Sequence, residues 1–305
     1  MRDPIQQAVE ILRQGGLVAF PTETVYGLGA DASNPDALEK IFVAKGRPQN
    51  HPIIVHLPDE SHLSQWARSV PESARTLAQR FWPGPLTLVL PRAPQVSDLI
   101  TGGQDTVGLR VPGHPVVLEL LKAFDSGIAA PSANRFGRLS PTTAEHVREE
   151  LGDSVDLILD GGPCEVGIES TIVDLSSEPP VLLRPGKISK REIEDAIGQT
   201  LAARGATRAP GTLPSHYSPR TPLKIVSAAE LEKCATENVA VLSFGTTMSS
   251  RWIAASRDAA EYARSLYANL RALDEMQCDV IFVERVPESE EWTAIRDRLA
   301  RAAAR

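Results

Sequence analysis

Short apolar runs and amphipathic segments alternate along the first two hundred residues. Asp3 and Pro4 precede apolar residues at helical spacing, and Gly15-Gly16 follows them, which predicts a helix capped by Asp3. Apolar runs bounded by turn residues predict strands at 17–20, 53–57, 86–90, 107–111, 127–130, 155–160, 171–175 and 181–183. Helical spacing predicts helices at 35–45, 71–82, 115–124, 143–151 and 189–197.

The order of these elements indicates the fold class. Several predicted strands between 160 and 183 follow one another without a helix, which a regular array of strand–helix–strand units would not give. We therefore expect residues 1–204 to form an α/β domain, in which helices pack on a twisted mixed sheet. The helix at 189–197 should begin with a capping box formed by Ser189 and Glu192.

The pattern changes at residues 205–222, where proline, glycine and small polar residues dominate and no periodicity is left. This segment is predicted to be a partly extended linker. After it, strands at 223–226, 239–244 and 279–284 alternate with helices at 228–237, 258–273 and 290–303. The alternation predicts that residues 223–305 form a smaller, Rossmann-like α/β domain with a parallel sheet.

Composition narrows the class of protein. The chain has 305 residues, 42% of them apolar, and a formal net charge of −7 that arises in the first two hundred residues. This balance argues against a general polyanion binder. Cys164, Cys234 and Cys278 are too far apart to suggest a disulfide framework or a zinc site. The N-terminus shows no signal-peptide pattern and no apolar run is long enough to span a membrane, so a cytoplasmic protein is expected.

Polar side chains cluster at the ends of several predicted strands. Each cluster alone is consistent with an ordinary loop, with charges favoured at a helix C-terminus or, for His56, with a satisfied core histidine. Their repetition at strand ends favours a single crevice. The clusters fall within segments 21–29, 44–56, 130–143, 167–171 and 182–186.

The cations expected in this crevice are Lys45, Arg47, Arg110 and Arg184. Arg110 lies in a predicted strand whose apolar residues alternate, so its side chain faces the other side of the sheet from theirs. The sequence contains no G-x-x-x-x-G-K-[ST], G-x-G-x-x-G, H-E-x-x-H or G-x-S-x-G motif. Several placed cations without a catalytic triad are typical of a site for phosphates and a carboxylate.

Eight segments, in order, resemble the YrdC family of L-threonylcarbamoyladenylate synthases. The resemblance covers nearly all of residues 5–222, and the linker with its SHYSP sequence resembles the long, two-domain form of the enzyme. The segments are FPTETVYGLGADA, IFVAKGRP, IIVHL, FWPGPLTLVL, TVGLRVPGHP, AAPSAN, GIESTIVDL and LLRPGKIS.

The resemblance implies a nucleotidyltransferase that makes threonylcarbamoyl-AMP from L-threonine, bicarbonate or CO2, and ATP, and releases pyrophosphate. The product would serve a downstream transferase complex that modifies adenosine in tRNA to N6-threonylcarbamoyladenosine, so that tRNA is only an indirect partner. Because no Asp/Glu cluster suggests a protein metal site, Mg2+ is expected to be held mainly by the ATP phosphates and water.

The resemblance also implies roles for individual residues. The threonine-binding residues would be Thr24, His56, Arg110, Ala130 and Ser170, with Arg110 on the carboxylate. The ATP-binding residues would be Lys45, Arg47, His51, Thr106, Ser132, Asn134, Ser140, Arg184 and Tyr217. The family often has asparagine at the position of His51. The linker would close over ATP through Tyr217, although a passive tether is the simpler interpretation.

Two other functions are compatible with parts of this pattern. A module of the same fold could bind RNA without adenylation activity, but the acidic balance of the first two hundred residues weighs against that hypothesis. Another carbamoyl-adenylate enzyme, as in hydrogenase maturation, would carry acylphosphatase and zinc-finger segments that this sequence lacks. The role of the C-terminal domain does not follow from the sequence.

Overall fold

The computed structural model describes residues 3–202, 205–231, 238–245 and 251–304. Its first sheet is mixed and contains nine strands in the order β7-β1-β2-β6-β3-β5-β4-β8-β9. Three neighbouring pairs are parallel, namely β1 with β7, β3 with β5 and β4 with β8. The bounds of these strands are β1 Val18–Phe20, β2 Gly27–Asp31, β3 Ile54–His56, β4 Leu86–Pro91, β5 Thr106–Arg110, β6 Ile128–Ala129, β7 Leu157–Ile158, β8 Thr171–Asp174 and β9 Val181–Arg184.

Helices precede, connect or follow the strands of this sheet, and the two predicted helix caps are present at the predicted residues. The side chain of Asp3 accepts from the amide of Ile5 at the start of α1, and Ser189 and Glu192 form the expected capping box of α8. The bounds of the helices are α1 Pro4–Arg13, α2 Pro35–Lys45, α3 Leu63–Trp66, α4 Glu72–Phe81, α5 Asp98–Thr101, α6 Pro115–Phe124, α7 Ala144–Leu151 and α8 Lys190–Ile197.

The second domain has a parallel sheet in the order β10-β13-β11-β12, as expected for a Rossmann-like unit. Its β12 is a short edge strand that the sequence analysis did not predict. Residues 232–237 of the predicted helix 228–237, including Cys234, lie outside the described residues. The elements are β10 Leu223–Val226, α9 Ala228–Leu231, β11 Val239–Ser243, β12 Trp252–Ala254, α10 Ala259–Glu275, β13 Val280–Glu284 and α11 Thr293–Ala303.

The sequence predicted no strand within 21–31, but Gly27 begins β2. The glycines of this strand serve close packing. A Cβ atom at Gly29 would lie 2.4 Å from Cε1 of Phe20 and 2.8 Å from Cγ2 of Ile128. Glycine therefore lets β2 fit beneath two bulky side chains.

The two domains share a hydrophobic core. Val166 and Ile168 of the first domain are buried in one cluster with Leu266 and Tyr267 of α10, and Tyr217 of the linker belongs to the same cluster. The linker is therefore packed between the two domains. None of the helices in the described parts of the chain combines the length and the apolar character needed to cross a bilayer.

Candidate functional site

A small pocket lies on one face of the first sheet, where β3, β5, β9 and the residues just before β8 present polar side chains. Ile54 and His56 of β3 face it, and so does Arg110 of β5, which is in register with His56. The intervening residues Val107 and Leu109 belong to the core on the other face. Alternation along each strand thus separates the pocket face from the core face, as the sequence predicted for Arg110.

Nine of the fourteen side chains or backbone positions predicted to bind substrates line this pocket together. They come from loops and strands that are far apart in sequence, which supports the expectation of a single crevice. The nine are Thr24, Arg47, His56, Arg110, Ala130, Ser132, Ser170, Arg184 and Tyr217.

The other five predicted residues do not line the pocket. Lys45 is buried behind its wall and donates from Nζ to the carbonyls of Ser132 and Asn134, while the Asn134 amide donates to two carbonyls of its own loop. His51 packs against Phe136, with ring centroids 5.1 Å apart. Thr106 lines an adjacent hollow, and Ser140 is fully buried and donates to Glu169.

Arg110 is held in place by three hydrogen bonds. Its Nη2 lies 2.7 Å from Glu23 Oε1 and 3.0 Å from Thr24 Oγ1, and its Nε donates to the Gly84 carbonyl. The other oxygen of Glu23 accepts from the amide of Gly113. Nη1 of Arg110 has no hydrogen-bond partner among the described residues. The guanidinium is thus oriented in advance and retains a donor for a ligand.

His56 lies beside Arg110 at the floor of the pocket. Burial, with a further contribution from the Arg110 charge, lowers the pKa of the His56 imidazole to about 3. Its buried Nδ1 makes no well-formed hydrogen bond within the described chain, and the nearby backbones of Ile54 and Ile128 only partly offset the fall in pKa. A neutral imidazole with an unused nitrogen atom is suited to exchange a hydrogen bond with a hydroxyl group, because a buried polar atom is stabilised by a partner.

Arg184 and Ser170 form the opposite wall. Arg184 donates from Nε to the Ser170 carbonyl and from Nη2 to the Ser170 hydroxyl, and Thr87 bonds the same hydroxyl at 2.8 Å. Arg47 completes the set of cations in the pocket. Burial lowers the pKa of Arg47 to about 10, so it stays charged at neutral pH. Three arginines therefore surround a space that is largely withdrawn from solvent.

The linker covers the open side of the pocket. Pro210, Gly211, His216 and Tyr217 line it, and the Pro210 carbonyl accepts from Nη1 of Arg184. Gly211 has φ +77°, and a Cβ there would lie 1.8 Å from the Tyr217 hydroxyl, so only glycine fits. With the linker in this position the pocket encloses about 50 Å³, and the neighbouring hollow that contains Thr106 encloses about 10 Å³.

Tyr217 itself adopts a left-handed backbone conformation, with φ 57°. This conformation is strained for an aromatic residue and is found mainly where function requires it. Its ring lies 4.2 Å from that of His216 and 5.9 Å from that of Tyr267. The hydroxyl lies near Arg184 but makes no well-formed hydrogen bond within the described chain.

Sequence reasoning missed two carboxylates of the site, Glu23 and Glu169. Both line the pocket or bond directly to residues that do, and both lie in segments already singled out for their polar content. The feature of the sequence that could have identified them is an acidic residue within a segment where cations and hydroxyl groups were predicted to bind a ligand. Neither carboxylate was interpreted, because most of their partners are far away along the chain. Arg110 lies 87 positions from Glu23, and Tyr267 and Arg298 lie 98 and 129 positions from Glu169.

Comparisons with known proteins identify the family. A family model described as "Telomere recombination", of the Sua5, YciO and YrdC proteins, matches residues 10–186. A second model, described as "Threonylcarbamoyl-AMP synthase, C-terminal domain", matches residues 188–304.

Several relatives match both domains. The threonylcarbamoyl-AMP synthase of Pyrococcus abyssi is 41% identical over 98% of this chain and 93% of its own length. That of Bacillus subtilis is 42% identical over 99% and 93%. A crystal structure of Pyrococcus abyssi Sua5 in complex with L-threonine superposes with a TM-score of 0.92 at 40% identity, covering 98% of this chain and 94% of that one. The chain therefore belongs to the Sua5/YrdC family of threonylcarbamoyl-AMP synthases, in its two-domain form.

Proposed function

We propose that the chain synthesises L-threonylcarbamoyladenylate from L-threonine, bicarbonate or CO2, and ATP, with release of pyrophosphate. The observation that carries the proposal is the convergence of Arg47, Arg110 and Arg184 with hydroxyl groups and a neutral histidine in one pocket. Two anions, a carbamate and a triphosphate, must meet during this reaction. Oriented cations stabilise such an encounter, and they do so best where water is excluded.

The threonine end is assigned to the floor of the pocket. Nη1 of Arg110 is the donor available to the substrate carboxylate, and the imidazole of His56, which lines the pocket, is available to the substrate hydroxyl. Thr24, Ser170 and the backbone of Ala130 complete this end. The crystal structure of the Pyrococcus abyssi protein with L-threonine supports threonine as the amino acid.

The ATP end is assigned to Arg47, Ser132, Arg184 and the linker residue Tyr217. Lys45 and Asn134 act one layer behind them by fixing the 132–134 loop, and Ser140 acts by holding Glu169. The five predicted residues that do not line the closed pocket would thus have supporting or neighbouring roles. Thr106 and His51 flank the part of the sheet face that the linker covers.

The reaction needs little proton transfer from the protein. The threonine amine adds to CO2 and loses a proton, and a carbamate oxygen then attacks the α-phosphorus of ATP. The bond from the α-phosphorus to the bridging oxygen breaks, and pyrophosphate leaves with that oxygen. Arg47 and Arg184 would neutralise charge on the phosphates, and Arg110 would align the carbamate through the neighbouring carboxylate.

Mg2+ would neutralise further charge on the triphosphate. No group of three or more His, Cys, Asp or Glu side chains in the described ranges is arranged to hold a metal ion. The two carboxylates of the site, Glu23 and Glu169, are paired with arginines. The residues present therefore fit a cation that is held mainly by ATP and water.

The linker is proposed to act as a lid. Pockets that bind drug-sized ligands usually measure about 300–1,000 Å³, and the closed pocket encloses about 50 Å³. ATP can enter only if residues 208–217 move away from the sheet face. Closure afterwards would shield the labile carbamate and adenylate from water.

The decisive experiment is a pyrophosphate-release assay with ATP, Mg2+, bicarbonate and each amino acid in turn. Threonine-dependent release, with a product whose mass is that of threonylcarbamoyl-AMP, would establish the activity. Salt-sensitive RNA binding without pyrophosphate release would instead favour the RNA-binding alternative.

We further propose that the product passes to a transferase complex that modifies tRNA, in the cytoplasm where ATP and tRNA are found.

A further inference from the structure

The second domain contacts the pocket wall through Glu169, a residue of the first domain that lines the pocket. Nε of Arg298 on α11 lies 2.7 Å from Glu169 Oε2, and the Tyr267 hydroxyl on α10 lies 3.0 Å from the same oxygen. Arg298 is only 1% exposed. Ser140 of the first domain donates to the other oxygen at 2.5 Å. Glu169 is thus clamped at the domain interface while its side chain borders the pocket.

Glu169 carries a negative charge at this position. Burial opposes ionisation, but the charges of Arg298 and then Arg184, together with the Ser140 hydrogen bond, lower the pKa of the Glu169 carboxyl to about 2. A carboxylate beside a pocket for a polyphosphate would repel its ligand and compete for the pocket cations. The pocket therefore needs a separate cation for Glu169.

Arg298 is that cation, because the hydrogen bonds of Arg184 go elsewhere. Among the described residues, Arg184 donates to Ser170 twice and to the Pro210 carbonyl once, and not to Glu169. Arg298 donates to the Glu169 side chain and backbone, and its guanidinium also lies 5.2 Å from the ring centroid of Tyr217. One side chain of the second domain thus contacts both the pocket wall and the linker.

We propose that Arg298 is a positioning residue for the ATP pocket, which neutralises Glu169 at the domain interface so that Arg184 remains available to the phosphates. This inference deepens the proposed function and rests on it. Without Arg298, Glu169 would turn to Arg184, the other cation in its surroundings, and the pocket would lose the charge that attracts ATP.

The chain offers a matched control at the same interface. Arg271 of α10 pairs with Glu150 of the first domain at 3.0 Å and donates to the Leu139 carbonyl, and both members of the pair are about as buried as Glu169. Neither residue lines the pocket. Arg271→Met therefore breaks a buried ion pair between the domains without removing a charge from the pocket lining, although Glu150 still acts on Lys45 behind the wall.

The test measures ATP binding by calorimetry in the absence of threonine, for wild type, Arg298→Met, Glu169→Gln, the double variant and Arg271→Met. Arg298→Met should raise the Kd for ATP about tenfold or more, because a buried carboxylate then competes with the phosphates. In the double variant the Kd should return to within about threefold of that of Glu169→Gln, since position 169 is then neutral. Asp297, which Arg298 also contacts, keeps its pair with Arg301. Arg271→Met should leave the Kd within about threefold of wild type.

The results distinguish a positioning role of Arg298 in ATP binding from a general contribution to the stability of the domain interface. If the double variant binds ATP as weakly as Arg298→Met, or if Arg271→Met has the same effect as Arg298→Met, the proposal is wrong. If Arg298→Met does not fold, the test compares ATP binding by Glu169→Gln with that by the double variant. The double variant should fold, because it buries no unpaired charge. A double variant that binds ATP about tenfold more weakly than Glu169→Gln would then overturn the proposal.

Turnover distinguishes this proposal from the proposed function. Wild type should release pyrophosphate only with threonine present, and Arg298→Met should raise the KM for ATP while changing that for threonine less than about threefold. Absence of threonine-dependent release in wild type would refute the function but not the positioning role. The latter is measured by ATP binding alone.

Discussion

Replacing Arg110 should separate its role in threonine binding from its role in the fold. Arg110 is 4% exposed and pairs with Glu23, which is also buried. Removing one member of a buried ion pair costs about 3–5 kcal/mol, because the other charge is left without a partner. Arg110→Ala should therefore lower the free energy of unfolding by an amount of that order, in addition to any effect on substrate binding.

The effect on binding follows from the lost charge-assisted hydrogen bonds. A hydrogen bond to a charged group contributes about 1.5–3 kcal/mol, which corresponds to about a tenfold to hundredfold increase in the KM for threonine. The KM for ATP should change far less. Arg110→Lys should recover little, because an ammonium group cannot reproduce the planar fork that bonds Glu23, Thr24 and a carboxylate together.

A second substitution separates the two effects. In the variant Glu23→Gln/Arg110→Ala no buried carboxylate is left unpaired, so the free energy of unfolding should recover while the KM for threonine stays high. Denaturant unfolding and initial rates of pyrophosphate release measure the two quantities. Arg92→Ala is the control, because it removes a surface arginine paired with Asp98 and Asp105. The reasoning is refuted if Arg110→Ala raises the KM for ATP more than that for threonine.

Further predictions concern the substrate, the linker and pH. Valine should be used much less well than threonine, because it leaves the buried imidazole of His56 without a partner, at a cost of about 1–3 kcal/mol. Equal turnover of the two amino acids would contradict this assignment. ATP with threonine should protect the bonds around 208–220 from protease, and Tyr217→Ala should weaken ATP binding in a folded protein. Cleavage that is indifferent to both ligands, together with wild-type kinetics of Tyr217→Ala, would show that the linker is only a tether. Burial lowers the pKa of His56 and His216 to about 3 and that of His146 to about 4. The unfolded chain therefore binds protons first as pH falls below about 6.5, and stability present above that pH should decline by about 1 kcal/mol per histidine by pH 5.5. Denaturant unfolding at pH 7.5 and 5.5 measures this loss, and His146→Gln should reduce it.

Local sequence signals predicted most of the fold. The capping box at Ser189 and the predicted bounds of helix 115–124 depend on residues within a few positions of one another, so the sequence displays them directly. The strand Gly27–Asp31 was missed because its glycines resemble a turn, and their reason is packing against Phe20 and Ile128 from other strands. Packing between residues of different strands cannot be recognised until the arrangement of the strands is known.

Local sequence signals also predicted part of the site. Residues at strand ends, such as His56 and Arg184, were found because polar side chains interrupt apolar runs there. The pairing of Glu169 with Arg298 was not found, since the two residues are 129 positions apart. Arg298 lies on an amphipathic helix, where an arginine resembles an ordinary surface charge until the partner domain is present.

The contacts of α11 suggest how the second domain can hold the linker and still let it open. Arg301 donates to the Leu213 carbonyl, and its own carbonyl accepts from the amide of His216. One turn earlier on α11, Arg298 bonds Glu169. Lifting the linker breaks the contacts of Arg301 but not the ion pair with Glu169, which is internal to the domain interface. If the linker acts as the proposed lid, ATP would exchange while the charge arrangement of the pocket wall is maintained, and the linker would return to a site that stays intact.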